Sequence, residues 1–497
     1  MAALDDRRHD PQHETAVVIA AAELPLMKKS SRPASVSGSL SRRDFVRTLG
    51  AAAAVLAVPN IIPSRLLGAN SPSNRFRIGQ IGCGRIARGH DMPGVFRSGM
   101  ADIVALCDVD VRRVAEGKDL AEKFYRDASA VPPPMATYMD YREMLTRDDI
   151  DGVVLSLPDH QHAEIALAAI KAGKDVYLQK PFTMTHEESV ILRDAVVKSG
   201  RILQVGSQQR SWGDTQQFRK GCEFVRSGRV GRLKHVEIGL PIDPTKPDDP
   251  EQPIPANLNY DAWLGPTPKV YYTEQRVHPH SGYDRPGWLR NESYCLGMIT
   301  GWGAHHFDTA HWGMDMESSG PVKIEGRATF PTNSIWNVHG EYHVELMYPG
   351  DIKMTVSDKL PNGVKFIGEE GWIFVSREQQ AAQTSSDPAM RPTDLKPLDA
   401  SDPKLLDPNG VTVKFLESSS HHQNWLDCMK SRETPLAPAT VAHSANTACI
   451  VSWIAMKTGR PLRWDPKAEK FENDAEATAL LSRPERAPYG MQRVRKA

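Results

Sequence analysis

From Arg77 to Leu178 the chain repeats one rhythm: a short apolar run, a turn, then a stretch of helical spacing. Arg77–Ile81, Asp102–Cys107 and Ile150–Leu157 read as strands. An apolar-periodic helix is predicted from Ala163 to Ala172, and Lys174–Leu178 reads as a further strand running into Gln179-Lys180-Pro181. Strands alternating with helices build a parallel sheet whose strand ends carry loops over a ligand crevice. Beyond Gly200 the rhythm fades. Val236–Leu240, Lys323–Phe330, Tyr342–Met347, Ile352–Val356 and Trp372–Ser376 are strand-like, and Trp425–Met429 and Ala439–Met456 look helical. Residues 241 to 256 read as a long Pro/Asp-rich surface loop or arm, and Glu378–Pro408 as an extended polar excursion.

The first turn carries the first chemistry. The strand Arg77–Ile81 enters Gly82-Cys83-Gly84-Arg85-Ile86-Ala87, where glycines permit a tight turn and close backbone approach, and Ala87 lets the following helix sit near the sheet. Amides at that helix start suit a pyrophosphate. The second strand ends at Asp108, whose carboxylate is placed to accept both adenosine-ribose hydroxyls and thereby favours NAD over NADP. Arg112 and Arg113 temper that choice, as solvent-facing helix residues or as partners for an added phosphate. The expected fold is thus α/β followed by α+β: a Rossmann dinucleotide-binding domain over 75–200, a substrate domain with an open, mostly antiparallel sheet over 201–460, and a packing arm over 461–497.

Residues 1–70 read as a leader. Ser41-Arg42-Arg43-Asp44-Phe45-Val46-Arg47 followed by the apolar run Leu49–Val58 resembles a twin-arginine signal. Ala69 is a candidate processing point, and Met27 offers an alternative start. The apolar run is short for a retained membrane helix, so release into the periplasm is expected. That route carries folded proteins, which suits a chain that must acquire a cytoplasmic dinucleotide before export.

With 497 residues, two domains with their own cores fit behind such a leader. Lys plus Arg and Asp plus Glu both number 61, so no global field draws the protein to nucleic acid or anionic membrane. A sugar, polyol or other weakly charged substrate suits that balance. Six widely spaced cysteines, without a CxxC, point to buried thiols rather than a disulfide scaffold.

Proton chemistry has several candidates. In Gly301-Trp302-Gly303-Ala304-His305-His306-Phe307-Asp308, a helix starting near His305 puts His305 and Asp308 on one face, Asp308 orienting an imidazole that exchanges a proton with a hydroxyl. Capping and salt-bridge roles remain open for the same residues. His305, His306, Asp308 and His311 offer zinc-ligand atoms, but their directions around one helix do not automatically converge, so a bound metal is an alternative and not the expectation. Lys180 at a strand end is placed to steady a substrate oxygen beside a nicotinamide, or is simply exposed. His160 and His162 are helix caps, substrate contacts or acid/base groups.

At Gly82–Ala87, Gln179-Lys180-Pro181, Asp261-Ala262-Trp263-Leu264-Gly265-Pro266 and His305–Asp308, the chain resembles the Gfo/Idh/MocA oxidoreductases, including the twin-arginine-exported members of planctomycete bacteria. The resemblance covers nearly everything after about Arg75. It implies a homodimer or homotetramer that oxidises or reduces a sugar, polyol or related alcohol with a tightly bound NAD(P). It makes Lys180 and His305 the catalytic candidates. Asp308, Trp263, Gln208, Arg210 and His306 become substrate contacts, and Gly82, Gly84, Arg85, Ile86, Ala87, Asp108, Pro158, His162 and Lys180 cofactor contacts. Two positions depart from the family pattern: its Glu-Lys-Pro is Gln179-Lys180-Pro181, and the aspartate four residues before the catalytic histidine is Gly301. The alternatives to net hydride transfer are redox-assisted glycoside cleavage, which returns the nicotinamide to its starting state, and a non-catalytic sugar or nucleotide sensor.

Overall fold

A computed structural model describes residues 74–211, 213, 215–377 and 393–496. The leader lies outside the described residues, as do positions 378–392 of the expected polar excursion. Six parallel strands form the first sheet: β1 (Phe76–Ile81), β2 (Ala101–Cys107), β3 (Ala136–Tyr138), β4 (Gly152–Leu155), β5 (Asp175–Leu178) and β6 (Leu203–Val205), in the order β3-β2-β1-β4-β5-β6. β4 and β5 are buried at every position, as strands covered by helices on both faces must be. The order reverses between β1 and β4, and their carboxyl ends part to leave a crevice. Two helices of this domain start at side-chain caps. Asp110 accepts from the amides of Arg112 and Arg113, and Thr185 with Glu188 forms a capping box for His186–Ser199, which stops at left-handed Gly200.

The second sheet has nine strands: β7 (Leu233–Gly239), β8 (Lys323–Ala328), β9 (Tyr342–Tyr348), β10 (Ile352–Ser357), β11 (Gly363–Gly368), β12 (Trp372–Val375), β13 (Leu398–Ala400), β14 (Leu462–Asp465) and β15 (Lys470–Phe471). All its pairings are antiparallel except β7 with β10. β9 alternates buried and half-buried residues, so one face is packed and the other open. The packed face receives Gly303–Met314, a helix buried at every position, and Ala439–Thr458.

Several boundaries differ from the sequence pattern. β11 escaped notice because Lys365 and terminal glycines interrupt its apolar run. Part of the expected excursion is β13 and the turn Pro403–Leu406, which extend the sheet edge. The C-terminal residues form β14 and β15 and then return to the first domain, where Lys171 Nζ donates to the Val494 carbonyl at 2.6 Å. All six cysteines are free and buried. Among the described residues no helix is long and apolar enough to cross a membrane.

Candidate functional site

Gly82 turns the chain out of β1 with φ of +83°, and its amide donates to the Cys107 carbonyl at 2.8 Å. A Cβ there would lie 2.3 Å from the Ser156 carbonyl oxygen, so only glycine allows β1 to end so close to the β4 loop. The Cys83 amide donates to Asp108 Oδ2 at 2.7 Å, and the Asp110 amide donates to Oδ1 at 3.0 Å. Asp108 is thereby pinned at the rim of the turn with acceptor capacity left on both oxygens. At Gly84 a Cβ would meet only the Arg113 guanidinium, at 3.6 Å, leaving a hollow over the turn. A cleft of about 330 Å³ runs from this hollow past Arg85, Ile86 and Pro158 to Lys180 and Trp263. Ala87 lies fully buried beneath it. A dinucleotide fits this cradle: glycines where a backbone must approach phosphates, and a carboxylate at the adenosine end.

The second domain closes over that end. Val111 donates from its amide to the Asn257 carbonyl, and Asn259 to the Val109 carbonyl, both at 2.9 Å. Asp110 accepts from Asn257 Nδ2 at 2.8 Å and lies 3.2 Å from His278 Nε2. The Tyr283 ring faces both Arg88, at 4.4 Å, and Arg113, at 4.8 Å, while its hydroxyl bonds Glu116. Arg113 also donates to the Pro279 carbonyl and is buried, so it is not the solvent-facing residue its helix position suggested. Arg112 is engaged with Glu116.

At the opposite end, Lys180 Nζ donates to the Gly301 carbonyl at 3.0 Å. Glycine removes the expected carboxylate, yet its backbone holds the lysine. Asp159, 4 % exposed, lines the same cleft. Leu155 and Leu178 are partners in the parallel β4–β5 pair, so Asp159 and Lys180 both follow the ends of adjacent strands. Burial raises the Asp159 carboxyl to about 7 against the opposing pull of the Lys180 ammonium. The sequence reading passed over Asp159. Its place just past a strand end, next to a strand ending in a lysine, was the available signal. His305 is buried with its Nδ1 unpartnered among the described residues, and burial, with Arg377 and Lys180 nearby, pushes its pKa well down and keeps the ring neutral.

Asp308 does not orient His305. It forms a two-pronged pair with Arg210 at 2.8 and 2.9 Å, and Arg210 also reaches Glu317 at 2.7 Å and covers the Trp312 ring. Both proposed substrate contacts are therefore engaged with each other in the core. His306 lies between Gln209 and Asn362, and His311 between Ser444 and Tyr348, so the helix offers no convergent metal set. Gln208 reaches toward Gln179 at 3.4 Å. Trp263 lines the cleft but is 3 % exposed, packed with Tyr260 and Tyr294, and its carbonyl faces His160 and Gln161. His162 sits between the carbonyls of Pro181 and Leu157, tying the β4 loop to the lysine loop.

The model described as "Oxidoreductase family, NAD-binding Rossmann fold" matches residues 76–207, and its companion, "Oxidoreductase family, C-terminal alpha/beta domain", matches 245–374 and 405–491. The chain belongs to the Gfo/Idh/MocA oxidoreductase family. Among curated members, it is 28% identical over 214 residues to a "Glycosyl hydrolase family 109 protein" of Shewanella baltica, covering 40% of this chain and 45% of that one. It is 28% identical over 172 residues to "Inositol 2-dehydrogenase 2" of Saccharopolyspora erythraea, covering 34% and 48%. Each match spans less than half of the relative. An aldose-aldose oxidoreductase structure from Caulobacter crescentus shares the fold, with a TM-score of 0.53, 16% identity, and 78% and 99% of the two chains covered.

Against this Gfo/Idh/MocA background, Gln179 acquires a meaning. Its Nε2 donates to Asp91 Oδ1 at 2.8 Å, so the negative charge missing beside Lys180 stands one side chain away. Burial works against that anion, but hydrogen bonds from His422 and His90 outweigh it and hold the carboxyl well below its ordinary value.

Proposed function

We propose that this family member is a periplasmic NAD-dependent oxidoreductase that transfers hydride to or from a hydroxyl-bearing carbon of a sugar, polyol or glycoside. One observation carries the reading: a single cleft joins the Gly82–Asp108 cradle to Lys180 and Asp159. Gly82, Gly84, Arg85 and Ile86 would hold the pyrophosphate and Asp108 the ribose, with Pro158 and His162 shaping the wall toward Lys180. The bound nicotinamide supplies the hydride acceptor or donor. Lys180, steadied by Gly301, turns its ammonium toward the substrate oxygen. Asp159, its carboxyl raised by burial, takes the hydroxyl proton through Lys180 and returns it in the reverse direction. His305, neutral and with Nδ1 unpartnered among the described residues, is a second proton partner. Asp108 favours NAD over NADP, since both arginines nearby are already engaged.

The closed adenosine end supports a cofactor retained through many turnovers, which suits a folded protein exported by the twin-arginine route as a homodimer or homotetramer. The likeness to glycoside hydrolases supports a second reading, in which hydride leaves and returns on one substrate and the net result is glycoside cleavage. The deciding experiment incubates protein purified without added nucleotide with sugars and glycosides, identifying products by mass spectrometry while following the bound nicotinamide. Oxidised or reduced sugar with matching cofactor conversion supports net hydride transfer. Released aglycone with the cofactor back in its starting state supports the second reading, and protein that turns over neither substrate class even with NAD⁺ or NADH supplied defeats both.

A further inference from the structure

We propose that His90, Asp91 and His422 bind one divalent transition-metal ion of the zinc class. The three offer ligand atoms within 4.8 Å of one another. His90 Nδ1 and His422 Nε2 each lie 3.0 Å from Asp91 Oδ1. Ligand atoms about 2.0–2.1 Å from a tetrahedral zinc stand roughly 3.3 Å apart, close to the two 3.0 Å separations from Asp91, and the two imidazole nitrogens, within 4.8 Å of each other, would draw together around the ion.

The local fold departs from the ordinary in two places to make this cluster. Adjacent residues on an α-helix point about 100° apart. Here Ala87–Asp91 is a wider π turn, and it sends the consecutive side chains of His90 and Asp91 to one point. One turn on, Gly94 clears the way for His422, whose Nδ1 would lie 2.2 Å from a Cβ at that position. The His422 ring is held from its other side by stacking on Tyr177 at 4.4 Å.

Charge gives a third reason. Asp91 is completely buried, and its ion-pair partners among the described residues are the two imidazoles. A completely buried carboxylate needs compensating charge or hydrogen bonds, and a bound cation supplies charge. An outer shell is present as well: Ser156 Oγ donates to Asp91 Oδ2 at 2.6 Å, and Gln80 Nε2 donates to Ser156 Oγ at 3.0 Å. Gln179, turned over at its amide, would offer its oxygen as a fourth ligand. The His90 side chain is 42% exposed and gives the ion a path from solvent. The site ties the helix after the phosphate turn to the helix His421–Ser431. It also anchors Ser156 and Gln179 in the cleft floor, and it stands independently of the hydride-transfer reading.

The test uses the tag-free full chain. Metal content is measured by inductively coupled plasma mass spectrometry, and after chelator treatment Zn²⁺ and Co²⁺ are titrated back by calorimetry and visible absorption. The expected result is one ion per chain, with tetrahedral Co²⁺ bands, weakened roughly a hundredfold or more by Asp91→Asn or His422→Gln and to a lesser degree by His90→Gln. A wild-type chain that takes up neither ion at one equivalent overturns the proposal, as does uptake unaltered by these substitutions. Should the buried variants fail to fold, His90→Gln decides, because its side chain is half-exposed and its fold can be verified by circular dichroism.

Discussion

Lys180 hangs from the Gly301 backbone carbonyl, and with no side chain at residue 301 the acid that shares its surroundings comes instead from the β4 loop. Lys180→Met is therefore expected to lower kcat by on the order of a hundred- to ten-thousand-fold while the Kd for NAD⁺ stays within about threefold. Parallel steady-state kinetics and fluorescence titration check this, and equal losses in both would assign Lys180 to binding. Asp159 makes a pH prediction. Its folded carboxyl is raised from 3.8 to about 7, so its stabilising contribution is complete below about pH 4 and is lost as the pH rises through 7. Asp159→Asn cannot ionise; its Tm should match the wild type near pH 4 and exceed it above pH 7. The limb near 7 in the kcat/KM profile should vanish with the same change, and its persistence would show that a group other than Asp159 sets it.

At the scale of elements, the cofactor end depends on a glycine turn and on a segment from the other domain. Gly82→Ala drives a methyl into the Ser156 carbonyl, and a loss of at least about 1–3 kcal/mol in denaturant unfolding is expected. Tyr283→Ala removes the ring between Arg88 and Arg113, contacts worth about 0.5–2 kcal/mol each when desolvated. Cofactor release measured by stopped-flow should accelerate by about tenfold, alongside a loss of about 1–2 kcal/mol in denaturant unfolding. An unchanged release rate would mean that the segment does not hold the nucleotide. None of this closure is legible in sequence, because Tyr283 lies 195 residues from Arg88 by position and no local pattern links them.

For the whole molecule, buried histidines set the acid limit. Burial lowers His160, His306, His311 and His421 to about 3, and His162 to about 4, from an ordinary 6.5. Depressed folded values mean stability that is present above pH 6.5 and lost as the pH falls toward 4, since the unfolded chain takes up the protons first. Calorimetry should show a Tm that declines steeply over that interval; a Tm unchanged down to pH 4.5 would contradict these neutral rings.

The glycine turn, Asp108, Lys180 and the βα rhythm were readable because their physics is local: a turn needs glycine, a covered strand needs unbroken apolar residues, and a strand end presents its loop. The family pattern of motifs extended that reading to the second domain. Local spacing also suggested that Asp308 orients His305, and tertiary packing decided otherwise by bringing Arg210 from 98 residues away to claim the carboxylate. The same kind of long-range approach put Asp159 beside Lys180, replaced the missing charge at Gln179 with Asp91, and joined His422 to a pair 331 residues earlier. Sequence alone determined which segments could bind a nucleotide. Only the folded chain decided which charges face one another, because burial and partner distance set a side chain's protonation and neither is a property of its neighbours in sequence.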